Sequence, residues 1–179
     1  FIAIAFDVKG PSFRHELMAE YKAERKPMDE LLVAQVPYIK RMVAAFNVPA
    51  IEMAGFEADD VIATLVKRCS GKGLKTAIIT GDKDMYQLVD EDTVILDYLT
   101  GKEYGPAEVK EKYGVDPGQI RDLLALAGDS SDNIPGVPGI GFKTAAKLLS
   151  EYGSMDGIYE NIERISRDKL RESLKLNKD

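Results

Sequence analysis

The chain has 179 residues, of which 45% are hydrophobic and 30% charged, with a net charge of −6; this is the profile of a soluble globular protein with one sizeable core, or a core plus a small helical lobe. No apolar run approaches a membrane span, and a lone Cys69 excludes an internal disulfide, which suits a reducing cytoplasm. The acidic balance does not exclude a nucleic-acid partner, because clustered acids that bound metal would neutralise outweigh the whole excess.

Residues 1–8 are a continuous apolar run, as in a strand covered on both faces of a mostly parallel sheet. Residues 10–26 are basic and aromatic without an apolar stripe. Met28 to Phe46 carries helical spacing, and Pro37 within it is expected to end or kink the helix. A short strand at 48–53 leads to Glu57–Cys69, whose Ala58, Val61, Ile62, Leu65, Val66 and Cys69 form an amphipathic stripe. Gly71 and Gly73 close it, and Leu74 to Thr80 reads as the next buried strand. A short helix near 84–89 and a strand at 93–98 complete an alternation that predicts an α/β fold.

The rest is helical. Pro106–Tyr113 is one short helix. Asp116-Pro117-Gly118-Gln119 supplies a cap, a first-turn proline and a third-position Gln before Ile120–Ala127, with Gly128 as the stop. A loop at 129–138, a helix from about 141 to 151 and two shorter helices follow. The expected division is an α/β core over 1–115 and a helical lobe over 116–179. The abrupt opening reads as a piece excised from something longer.

Eight acids fall at the ends of apolar runs: Asp7, Glu57, Asp59, Asp60, Asp82, Asp84, Asp129 and Asp132. Asp7, and the pair Asp82 and Asp84, follow strands, and open α/β sheets bind ligands outside the carboxyl ends of strands. The plainer reading of Asp82 is a cap on the next short helix. Glu57, Asp59 and Asp60 begin a helix, where acids suit the dipole, yet three within four residues repel one another unless a cation lies among them. Asp129 and Asp132, in GDSSDN, are either turn residues or the last members of the set. Oxygen ligands without a His or Cys cluster select a hard cation, Mg²⁺ or Mn²⁺. His15 has no partner motif and reads as structural or substrate-adjacent.

Residues 134–149, IPGVPGIGFKTAAKLL, form a glycine-rich hairpin opening a helix. Gly136, Gly139 and Gly141 permit tight turns and close approach, and the helix start offers N–H groups to a phosphate, with Lys143, Thr144 and Lys147 alongside. Such a site grips backbone without reading bases. A second cationic patch, Arg14, Lys22, Arg25 and Lys26 with Phe13 and Tyr21 between, suits single-stranded nucleic acid or is simply a solvated helix face.

FDVKGPSFRHE, EYKAER, GFEADDVIATL, ITGDKDMYQLV and LAGDSSDNIPGVPGIGFKTAAKLL together resemble the 5′-nuclease (5′-3′ exonuclease) domain of bacterial DNA polymerase I, in the flap-endonuclease superfamily. The resemblance runs from Phe1 to about Ile162. It implies a PIN/flap-endonuclease-like core with a mostly parallel central sheet flanked by helices. It also implies a helix–three-turn–helix (helix-hairpin-helix) module near 116–152 that binds duplex DNA and a monovalent cation, K⁺. The implied activity is metal-dependent hydrolysis of 5′ flaps and 5′ ends of nicked or branched duplexes, in replication, repair and RNA primer removal. Two or more ions would sit among the acids: Asp7, Glu57, Asp59, Asp60, Asp82 and Asp84 at the first, Asp129 and Asp132 at the second. Lys22 and Arg25 would belong to the arch over the site and Arg14 would face the scissile phosphate. The family carries an earlier strand with a further Asp, which this sequence lacks. The implied protein is monomeric or fused to a polymerase, in the bacterial cytoplasm at the nucleoid. Two rivals stand beside this reading: a binding-only module for branched DNA, and a Toprim-like metal site, which leaves Asp7, Asp129, Asp132 and the hairpin unaccounted for.

Overall fold

The computed structural model describes residues 1–178. These separate into two compact units, the first over 1–68 and the second from 69 onward.

In the first unit, β1 (Ile4–Ala5) pairs in parallel with β2 (Ala50–Ile51). Between them lie α1 (Phe13–Leu17) and α2 (Glu30–Ala45), and α3 (Ala58–Cys69) follows. Asp29 caps α2 by accepting the Leu31 N–H at 2.8 Å. The helix runs through Pro37 without ending there. Proline removes the donor that would serve the carbonyl four residues back, and that residue, Val33, is 53% exposed, so water can take its place. The small core gathers Tyr21, Val43, Val61 and Val66.

The first strand departs from expectation. Only two residues pair as strand, and Phe1 and Ile2 are exposed rather than covered on both faces. An apolar run encodes a preference for burial, but a strand is buried only where something packs on it. Within this unit β2 alone pairs with β1.

In the second unit, β3 (Thr76–Ile79) pairs in parallel with β4 (Thr93–Leu96), which pairs antiparallel with β5 (Glu103–Tyr104). The described residues thus form two small, mostly parallel sheets, β1–β2 in the first unit and β3–β4–β5 in the second, in keeping with the expected α/β class. Ile78 is buried but Ile79 is exposed, so the expected buried strand is covered on one face. A 3₁₀ segment, Lys83–Leu88, carries the buried Met85 and Tyr86.

Helices α4 (Pro106–Tyr113) and α5 (Ile120–Ala127) have the limits their caps predict. Gly114 closes α4 in the left-handed region at φ +75°, where a side chain would be strained. Then come α6 (Phe142–Tyr152), α7 (Met155–Glu160) and α8 (Asp168–Leu176). Leu123, Leu126, Leu149, Ile158 and Leu174 are fully buried in this unit, each contributing about 1.5–3 kcal/mol of burial. Polar ties join these helices. Asp122 accepts the Met155 N–H at 2.9 Å, and the Gln119 amide donates to the Gly153 carbonyl at 2.7 Å. Among the described residues no helix is long and apolar enough to cross a membrane.

Candidate metal centre and nucleic-acid interface

In the first unit the acids meet the basic segment. Asp7, just past β1, accepts the Ala58 N–H at 2.7 Å and so holds the first turn of α3 from 51 residues away. Glu57 is met by three donors: Lys22 Nζ at 2.7 Å, Ser12 Oγ at 2.9 Å and Tyr21 Oη at 3.0 Å. Arg14 forks onto Asp60 through Nη1 at 2.7 Å and Nη2 at 2.8 Å, the bidentate geometry that guanidinium and carboxylate share. Burial pushes the Glu57 carboxyl up, but its hydrogen bonds to Lys22, Ser12 and Tyr21 outweigh that and hold it below its ordinary range. Arg14 likewise holds Asp60 low and is itself driven further toward its charged form by that bond. Asp59 is half-buried in the same helical turn, and Arg25 is exposed. His15 reads as structural: its Nδ1 lies 3.2 Å from Ser12, and its ring stands edge-on to Tyr21.

In the second unit, Asp84, Asp129 and Asp132 bring one oxygen each within 4.8 Å of the others. Asp129 and Asp132 are 6% and 7% exposed, uncommon for carboxylates unless a cation or donors compensate them. Lys83 reaches Asp129 Oδ2 at 2.7 Å, and the Ser131 N–H reaches Oδ1 at 2.9 Å. Burial raises the Asp129 carboxyl, yet these two contacts outweigh it and leave it below its usual range. Asp84 goes the other way. Burial first, and Asp82 second, push its carboxyl up to about 6. Its Oδ1 is buried with no hydrogen-bond partner among the described residues. A hard divalent cation supplies what such an oxygen lacks, so the donor set fits Mg²⁺-type chemistry. Asp82 makes the cap its plainer reading foresaw, accepting the Asp84 N–H at 2.9 Å. Lys83 was not singled out by sequence reasoning, although its place between the two acids of GDKD was a usable signal.

The hairpin lies in the same unit. Asp129 and Ile134 form an isolated antiparallel bridge at its base. Gly136 is a packing glycine: a Cβ there would lie 2.3 Å from the Ala127 carbonyl carbon and 2.4 Å from the Gly128 nitrogen. Gly139 differs, with φ +84° and open space around its missing Cβ; Gly141, the N-cap of α6, also has open space but an extended backbone at φ −101°. Lys143 and Lys147 are exposed on α6, with no ion pair among the described residues, and Thr144 is half-buried.

With this geometry, the chain falls in the class of PIN-like 5′ nucleases, which are phosphodiester hydrolases of flap-endonuclease type. It belongs to the 5′-3′ exonuclease family. Residues 1–114 match the model "5′-3′ exonuclease, N-terminal resolvase-like domain", and residues 115–179 match "5′-3′ exonuclease, C-terminal SAM fold". It is 47% identical to DNA polymerase I of Caldicellulosiruptor bescii, over 100% of this chain and 22% of that protein. The chain therefore spans about a fifth of the curated relatives it matches. Among solved structures, the T5 D15 protein co-crystallised with metal ions superposes with a TM-score of 0.85 at 28% identity, covering 99% of this chain and 71% of that one. The bacteriophage T5 D15 flap endonuclease, in a pseudo-enzyme-product complex with DNA and metal ions, superposes with a TM-score of 0.79 at 29% identity, covering 96% and 67%.

Proposed function

We propose that this chain is the 5′-nuclease part of a polymerase I-like bacterial protein. It hydrolyses phosphodiesters at 5′ flaps and 5′ ends of nicked or branched duplex DNA, with Mg²⁺ or Mn²⁺, in primer removal and repair at the nucleoid. The observation that carries the reading is the Asp84–Asp129–Asp132 cluster with its unserved buried oxygen. Asp84, Asp129 and Asp132 hold one ion, with Asp82 supporting them. Asp7, Glu57, Asp59 and Asp60 hold another at the start of α3. Bound there, divalent cations supply water activation and charge neutralisation at the phosphodiester. Water adds at phosphorus, the bridging P–O bond breaks, and the leaving oxygen takes up a proton. Arg14, Lys22 and Arg25 add positive charge against the phosphate. The nuclease core is residues 1–115. The lobe, 116–179, grips duplex backbone through Gly136, Gly139, Gly141, Lys143, Thr144 and Lys147, with K⁺ at the hairpin. Gly136 serves that grip indirectly, by seating the hairpin on α5.

The test is incubation with a 5′-labelled flap duplex and Mn²⁺. Short 5′ products, absent with chelator and with Asp129→Asn, support the proposal. Tight flap binding with no product at any metal concentration replaces it with a binding-only module.

A further inference from the structure

A hollow of about 470 Å³ opens in the second unit between the hairpin and the start of α8. It is lined by Pro138, Gly139 and Thr144 on one side and by Arg167, Lys169 and Leu170 on the other. Ser173 Oγ donates to the Pro138 carbonyl at 2.7 Å, so α8 is tied to the hairpin and the two walls keep their separation.

The charge on the α8 side is left over for something else. Arg167 and Lys169 are exposed and make no ion pair among the described residues, in contrast to Arg171 and Lys175 further along the helix, which pair with Asp168 and Glu163. The remaining lining residue, Asp168, has its carboxylate 2.7 Å from Arg171 Nη2, which compensates its charge. What faces the hollow is therefore two unspent cations, a threonine and an open glycine backbone, together with the apolar Pro138 and Leu170.

We propose that this hollow seats one sugar–phosphate stretch of the duplex, and that Arg167 and Lys169 are backbone-positioning residues extending the hairpin's grip. The inference rests on the proposed function. Apolar and cationic side chains lining one hollow match deoxyribose flanked by phosphates better than they match a free anion, which would gain nothing from Pro138 and Leu170. Contacts of this kind fix register on the duplex without reading bases.

The test measures binding of a fluorescent flap duplex to the full chain by anisotropy across a salt series, with Ca²⁺ in place of the catalytic metal. The double variant Arg167→Ala/Lys169→Ala is expected to bind about tenfold more weakly near 0.1 M salt, alike for unrelated sequences, with the salt slope reduced by about 2. Arg167→Glu should bind more weakly still. Lys110→Ala, which removes a lysine paired to Asp116 at 3.0 Å, should stay within about twofold of wild type. Both target side chains are exposed, so melting temperatures should be unchanged. Wild-type binding with no loss in the double variant overturns this inference alone. Absence of duplex binding by the wild-type chain overturns the proposed function and this inference together.

Discussion

Lys83 Nζ lies 2.7 Å from Oδ2 of Asp129, a carboxylate only 6% exposed. The lysine projects from between Asp82 and Asp84 and delivers a positive charge to the place where three carboxylates converge. Burial alone would favour its neutral form, but its hydrogen bond to Asp129 outweighs that and keeps it charged. A cation drawn to these carboxylates would meet the charge of Lys83 on Asp129.

Replacing the lysine should remove that opposing charge. Lys83→Met keeps the aliphatic stem and removes the charge, leaving the acids to repel one another. Mn²⁺ binding by calorimetry is expected to tighten by about fivefold to tenfold. Weaker binding would mean that Lys83 organises the cluster instead of filling in for the ion.

Asp84 gives a pH signature in metal-free protein. Its folded carboxyl sits at about 6, above the ordinary 3.8, through burial and then Asp82. The folded form holds the proton where the unfolded form has lost it. The stability this contributes is complete below the unfolded value and is lost as pH rises through about 6. With chelator present, Asp84→Asn should melt higher than wild type at pH 7, by about 1 kcal/mol or roughly 2–4 °C. The gap should close as the pH falls toward 4. A gap that widens on acidification would contradict the assignment.

Asp7 carries both a structural and a chemical load, and two variants separate them. Asp7→Ala removes the acceptor for the Ala58 N–H and should cost about 1 kcal/mol, as loss of a helix cap does. Asp7→Asn retains an oxygen and should keep most of that stability while losing the charge a cation needs. Equal melting of both variants with wild type would show that the 2.7 Å contact does not hold α3.

The hairpin glycines should separate by mechanism in denaturant unfolding. Gly136→Ala drives a Cβ into the end of α5 and should cost about 1–3 kcal/mol. Gly139→Ala meets no atom but is strained at φ +84°, costing roughly 1–2 kcal/mol. Gly141→Ala meets neither obstacle and should be near neutral. In binding, Gly139→Val should weaken duplex affinity alike across sequences, and a strongly sequence-dependent loss would count against a backbone grip.

These contrasts mark where sequence reading reached and where it stopped. Local signals carried well: the Pro106 start and Gly114 stop of α4, and the Asp116–Gln119 box before α5, are read from neighbours a few residues apart. The acids at strand and helix ends were legible for the same reason. Pairings across dozens of residues were not. Nothing in the spacing says that Lys22 reaches Glu57, that Arg14 forks onto Asp60, or that Gly136 needs its bareness against Ala127 rather than against a ligand. Burial of β1 failed because apolarity states a preference whose satisfaction depends on neighbours elsewhere in the fold.

On the proposed function, the Asp84–Asp129–Asp132 cluster holds a divalent cation that drives phosphodiester cleavage. Single-turnover cleavage of a 5′-labelled flap duplex, followed across a Mn²⁺ titration for wild type and Asp84→Asn, tests it most directly. The rate should saturate with metal in the wild type and fall by about a hundredfold or more in the variant, with flap binding retained. Equal rates and equal metal dependence in the two proteins would contradict it.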